Sequence, residues 1–249
     1  MAEIISILNL KGGVGKTTTA INLGKGLSIL GKKVLVIDND PQANLTRGVG
    51  ITDISKTVFD VYDANEPLPI QEISKNFYAT PAELRLATIE NRLSSEINRN
   101  YKLYDAIEPF KNDLDYILID CPPSVGVYTA NALIASTKYL LMIQSGDPYS
   151  IEGLKNMEKM VNTEIKKRLN PTIECLGVLL SFVKRTNAND FILEQIKDAQ
   201  LQNVLNSSIR DSISIKESAI SGEDVFTYDS KSNGAIDYMN LAKELVGKK

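Results

Sequence analysis

The chain has 249 residues, 43% hydrophobic and 24% charged, with a formal net charge of −3. That length supports a substantial core and fits one large α/β domain, and the ordinary composition excludes low-complexity and collagen-like classes. Histidine is absent, which excludes any mechanism needing an imidazole within the chain. The two cysteines, Cys121 and Cys175, have no C-x-x-C spacing to support a zinc or disulfide framework.

In chain order, the apolar run Ile4, Ile5, Ile7 and Leu8 predicts a strand, and a helical stretch ends near Gly31. Between them Lys11 to Thr18 read Lys-Gly-Gly-Val-Gly-Lys-Thr-Thr. Strand, glycine-rich turn and helix N-terminus together form a phosphate-binding loop, offering backbone N–H groups and the positive end of a helix dipole. Gly15, Lys16 and Thr17 match the end of G-x-x-x-x-G-K-[ST], with Lys16 suited to the β/γ-phosphates and Thr17 to Mg²⁺. The start departs from it: Leu10 stands where glycine is expected, followed by a second lysine, Lys11, and the pair Gly12 and Gly13. Lys11, Gly12, Gly13, Val14, Gly15, Lys16, Thr17 and Thr18 are therefore the candidate nucleotide contacts.

Val34 to Ile37 predicts a second strand, ending in Asp38-Asn39-Asp40-Pro41-Gln42. Two carboxylates at i and i+2 face the same way if the strand continues, and could divide Mg²⁺ binding and water positioning between them. Thr52 to Phe110 reads less clearly, with a loop at Pro67 and Pro69 and a helix over Ala82 to Ile97. Tyr116 to Ile119 predicts a buried strand running into Asp120-Cys121-Pro122-Pro123-Ser124, the form of a Walker B aspartate. Thr17, Asp38, Asp40 and Asp120 are the candidate metal ligands.

Tyr139 to Ile143 and Leu176 to Leu180 are further buried strands. Helical spacing covers Val127 to Ser136, Ile151 to Leu169 and Phe191 to Leu201, and a last helix carries Ala235, Tyr238, Met239, Ala242, Leu245 and Val246. This alternation predicts an α/β fold: a mostly parallel twisted sheet with helices on both faces, residues 1–249 forming one P-loop ATPase domain. No apolar run reaches the roughly 18 residues of a membrane span, and the sequence begins on a strand, so a cytoplasmic protein is expected.

Lys11 to Thr18, Asp38 to Gln42 and Asp120 to Ser124 resemble the ParA/Soj group of deviant Walker ATPases, which partition plasmids and chromosomes. Thr80-Pro81-Ala82, Tyr149 to Leu154, Arg185-Thr186-Asn187 and Tyr228 to Ala235 extend the resemblance across nearly the whole chain. It implies a homodimer sandwiching two MgATP, the lysine matching Lys11 reaching the partner's phosphates and the glycine matching Gly12 lying in the dimer contact. The aspartate matching Asp40 is implicated in positioning the hydrolytic water, which makes Lys11, Lys16 and Asp40 the expected catalytic set.

Slow hydrolysis, stimulation by a ParB-type centromere-binding partner, and non-specific duplex DNA binding in a nucleoid-associated state are also implied. Lys184 and Arg185 match the family's basic DNA-binding loop, against the plainer reading of a solvated loop. Ser214 stands where a second basic residue is common, with Lys216 or Arg210 as compensating candidates; Ile209 replaces the proline that, with Arg210, frames the adenine. The alternative is a MinD-like positioning ATPase acting on a membrane or other cargo. That would need a basic amphipathic helix beyond the domain, whereas the last helix reads as core-packing.

Overall fold

A computed structural model describes residues 1–93, 95–146, 150–184 and 204–247. The predicted helix at Phe191 to Leu201 lies outside these residues, as do Arg185 and Tyr149.

Eight strands form one sheet in the order β3-β4-β2-β5-β1-β6-β7-β8. They are β1 (Glu3–Leu8), β2 (Val34–Asp38), β3 (Gln71–Ser74), β4 (Phe77–Thr80), β5 (Tyr116–Asp120), β6 (Lys138–Gln144), β7 (Glu174–Val183) and β8 (Val204–Arg210). Every neighbouring pair is parallel except β3–β4. The middle strand β1 lies between β5 and β6, so the loop after it emerges at the centre of the sheet's C-terminal edge, where ligands bind in such folds.

Both faces of the sheet are covered, which is why its strands read as continuous apolar runs. Alternation along β1 sends Ile4 and Leu8 to one core and Ile5 and Ile7 to the other. The first core is roofed by α3 (Val58–Ala64), α4 (Leu86–Leu93), α5 (Lys102–Ile107), α6 (Val127–Ala135) and α7 (Ser150–Met160). The second is roofed by α1 (Lys16–Ile29), α2 (Asn44–Gly48), α8 (Ile213–Ser221), α9 (Val225–Asp229) and α10 (Asn233–Gly247). The apolar positions of α10 face inward: Ala235, Tyr238, Ala242 and Leu245 are buried, and Tyr238 Oη meets Thr19 Oγ1 of α1 at 3.2 Å. Among the described residues no helix is long and apolar enough to cross a membrane.

Three expectations change. The helix read over Ala82 to Ile97 shortens to α4, because the Ala82 N–H donates to Thr46 Oγ1 (2.8 Å) and is held in a loop. The helix read over Ile151 to Leu169 is α-helical only to Met160 and continues as a π-helix over Val161–Lys166. The hairpin β3–β4 and the edge strand β8 were not read as strands at all.

Candidate nucleotide site

The loop between β1 and α1 is shaped by glycine where the backbone demands it. Gly13 (φ 77°) and Gly15 (φ 92°) occupy the left-handed region that side chains disfavour, and Gly15 caps α1. No acidic residue lies in the first turn of α1, so its dipole end is open to an anion. Asn9 braces the loop from below: Nδ2 donates to Met142 O (2.7 Å), and Oδ1 accepts from the Lys11 N–H (2.7 Å). Ser181 Oγ on β7 donates to Val14 O (2.8 Å), fixing the other side.

Lys16 is only 7% exposed, and its Nζ donates to Asn9 O (3.1 Å) and Lys11 O (3.2 Å). Burial lowers its pKa, opposed by the Asp120 carboxylate. Thr17 Oγ1 donates to Asp120 Oδ2 (2.6 Å), while the buried Asp120 Oδ1 has no hydrogen-bond partner. Burial first, then the nearby Asp38, push the Asp120 carboxyl up to about 8. A divalent cation at this corner would satisfy the orphaned oxygen and offset the desolvation. No cluster of three or more acidic, cysteine or histidine side chains forms a metal cage among the described residues. One carboxylate and one hydroxyl suit Mg²⁺, which keeps waters and shares phosphate oxygens.

Asp38 and Asp40 do not act as a same-facing pair. β2 ends at Asp38, and the chain turns there. Asp38 is fully buried; its Oδ2 accepts from the Thr46 N–H (2.8 Å) and Thr46 Oγ1 (2.7 Å), and burial raises its pKa to about 6. Asp38 thus holds the following loop from beside Asp120, its neighbour across the β2–β5 pairing. Asp40 lines a cleft with Gly12, Gly13, Lys16, Thr17 and Pro123, around a space of about 550 Å³. Its Oδ1 accepts from the Gln42 N–H (2.9 Å).

Residues 2–175 match a family model described as an AAA domain. The sporulation initiation inhibitor protein Soj of Bacillus subtilis is 39% identical over 252 residues, covering 99% of both chains. The chromosome partitioning protein ParA of Myxococcus xanthus is 35% identical, covering 99% of this chain and 88% of its own. The chain belongs to the ParA/Soj family.

Solved structures agree with this fold. One described as cobyrinic acid a,c-diamide synthase from Mycobacterium smegmatis, with bound ADP and magnesium, has a TM-score of 0.85 at 28% identity, covering 99% of this chain and 94% of that one. The septum site-determining protein MinD of Pyrococcus horikoshii, complexed with Mg-ADP, has a TM-score of 0.83 at 27% identity, covering 98% and 96%. This ParA/Soj-family protein is an ATPase, and both of these neighbours hold ADP with magnesium.

Beyond the loop, the ParA/Soj-family chain brings the other candidate residues close but not free. Ile209 and Arg210 border a narrow slot with Gly15 and Thr18. The Arg210 guanidinium is held by Asp237, Nε to Oδ2 at 2.9 Å and Nη2 to Oδ1 at 2.6 Å. Lys184 and Lys216 share the Asp211 carboxylate, at 3.4 and 2.5 Å, in a neighbouring cleft of about 520 Å³ that also reaches Gly13. Arg185 lies outside the described residues. Cys121 is buried and Cys175 half-buried.

Sequence reasoning missed Phe182 and Arg47. Phe182 adopts φ 53° at the end of β7 and lines both clefts; its only sequence signal is an aromatic residue two positions before Lys184. Arg47 borders the cleft from α2, where its Nη2 donates to Gln42 O (2.7 Å) beside Asp40.

Proposed function

We propose that the chain is a DNA-partitioning ATPase whose MgATP-bound form is a sandwich homodimer that binds duplex DNA without sequence preference. Slow hydrolysis, stimulated by a ParB-type centromere-binding partner, resets it. The observation that carries this reading is the loop rim. Residues 10–13 are exposed, and a Cβ built on Gly12 meets nothing within 4 Å, with no positive φ to require glycine. Among the described residues nothing within the protomer explains Gly12, whereas a second protomer packed against the rim does. Lys11 then contributes a cation to the partner's phosphates, neutralising charge that grows in the transition state as an arginine finger does.

Within each protomer, Gly12 to Thr18 cradle the phosphates and Lys16 exchanges its loop carbonyls for β/γ-phosphate oxygens. Thr17 and Asp120 hold Mg²⁺, which polarises the phosphates and balances their charge. Asp40 orients the attacking water, and Ile209 and Arg210 border the adenine. Lys184 and Lys216, released from Asp211 or shared with it, contribute phosphate contacts that a dimer doubles.

Sedimentation with ATP and Mg²⁺ tests the dimer. Asp40→Ala is expected to bind nucleotide with wild-type affinity, lose about 10²-fold in turnover, and accumulate as a dimer. Gly12→Val is expected to fold and bind MgADP normally yet stay monomeric. A Gly12→Val protein that dimerises on ATP like wild type contradicts the assignment.

A further inference from the structure

The turn that carries Asp40 is braced from behind by a buried polar network. Asn39 is completely buried. Its Nδ2 donates to Tyr128 O on α6 (2.9 Å), and its Oδ1 accepts from Tyr62 Oη on α3 (2.9 Å). Its backbone N–H donates to Asp120 O at the end of β5 (3.1 Å). The Tyr62 and Tyr128 rings meet edge to face, centroids 5.0 Å apart, and Tyr128 Oη donates to Leu86 O on α4.

Asn39 thus ties the ends of β2 and β5 directly to α3 and α6, and through Tyr128 to α4. Among the described residues Asp40, in contrast, has only local partners: its N–H donates to Asp38 Oδ1 (3.3 Å), its O accepts from the Ala43 N–H (2.9 Å) and its Oδ1 accepts from the Gln42 N–H (2.9 Å). Because β2 ends at Asp38, sheet hydrogen bonds no longer fix the chain at Asp40. Its carboxylate is aimed by the residue before it.

We propose that Tyr62 is a positioning residue for ATP hydrolysis, holding Asn39 so that the Asp40 carboxylate faces the cleft. The proposal rests on the water-orienting role given to Asp40. A group that must hold a water within hydrogen-bond reach tolerates little displacement, so loosening its support acts on kcat more than on nucleotide binding.

The test is Tyr62→Phe, which removes one hydroxyl and keeps the ring packing. It is expected to keep MgADP affinity within about twofold while lowering kcat by about three- to tenfold, and to speed amide exchange over residues 39–42 in the MgADP form. In an Asp40→Ala background the same change is expected to cost nothing further. Unchanged kcat and unchanged loop exchange in Tyr62→Phe overturn the proposal, whatever happens to the melting temperature. So does an equal fractional loss in both backgrounds, which marks a general structural effect. If Asp40→Ala alone hydrolyses ATP at the wild-type rate, the Asp40 reading itself has failed. A slowed Tyr62→Phe would then act by a route other than the one proposed.

Discussion

Asp120 shows how much a single buried carboxyl controls here. Burial and Asp38 push its pKa up to about 8, which favours the protonated form in the nucleotide-free protein at neutral pH. Its folded value lies above the unfolded value near 4, so its contribution to stability is fully present below about pH 4 and is lost as pH rises through about 8. A cation beside Oδ1 reverses the preference and expels the proton. Calorimetric titration of MgADP at pH 7, in buffers of different ionisation enthalpy, should therefore register release of about one proton per site. Asp120→Asn should release none, and apparent Mg²⁺ affinity should fall by up to about tenfold per pH unit below 8. At this scale the sequence was legible where one residue type has one role. Gly15, Lys16, Thr17 and Asp120 lie together, with Asp38 beside Asp120 across the β2–β5 pairing. The expected shared face of Asp38 and Asp40 does not form, because the i, i+2 spacing implies one only while a strand lasts, and the strand stops at Asp38.

Among the elements, the buried strands β1, β2, β5, β6 and β7 were readable because burial on both faces leaves an uninterrupted apolar run. β3 and β4 have four residues each, and β8 carries Asn206, Ser207 and Ser208, so none of them shows that run. α3 was hidden for another reason: it starts at a capping box between Thr57 and Asp60 but has only seven residues, too few for a periodic pattern. The join of α1 to the sheet depends on Gly24, where a Cβ would lie 2.8 Å from both Phe77 and Val36, two side chains buried on neighbouring strands. Overpacking there outweighs the gain in helix propensity, so Gly24→Ala should lower stability by about 1–2 kcal/mol in denaturant titration. Gly153 in α7 is the control. A Cβ there meets nothing within 4 Å, and Gly153→Ala should raise stability by about 0.5–1 kcal/mol.

For the whole molecule, net charge works against DNA binding, and the described cations assigned to it are paired internally. Lys184 and Lys216 meet at Asp211, and Arg210 is clasped by Asp237. With these described cations compensated, a monomer would make a weak DNA ligand, whereas the proposed dimer would present twice as many contacts on one surface. Each phosphate neutralised releases counterions and adds about −0.9 to the slope of log affinity against log salt. Under the proposed function, nucleotide-controlled dimerisation would then switch DNA binding on and off, with the dimer alone binding tightly enough to persist.

The most direct measurement is binding of random-sequence duplex DNA by wild type and Asp40→Ala, with ATP, ADP or no nucleotide, across a salt series. The account predicts binding that needs ATP, weakens steeply with salt, and lasts longer in Asp40→Ala than in wild type. Absence of binding under every condition, in a protein that still hydrolyses ATP, would contradict it.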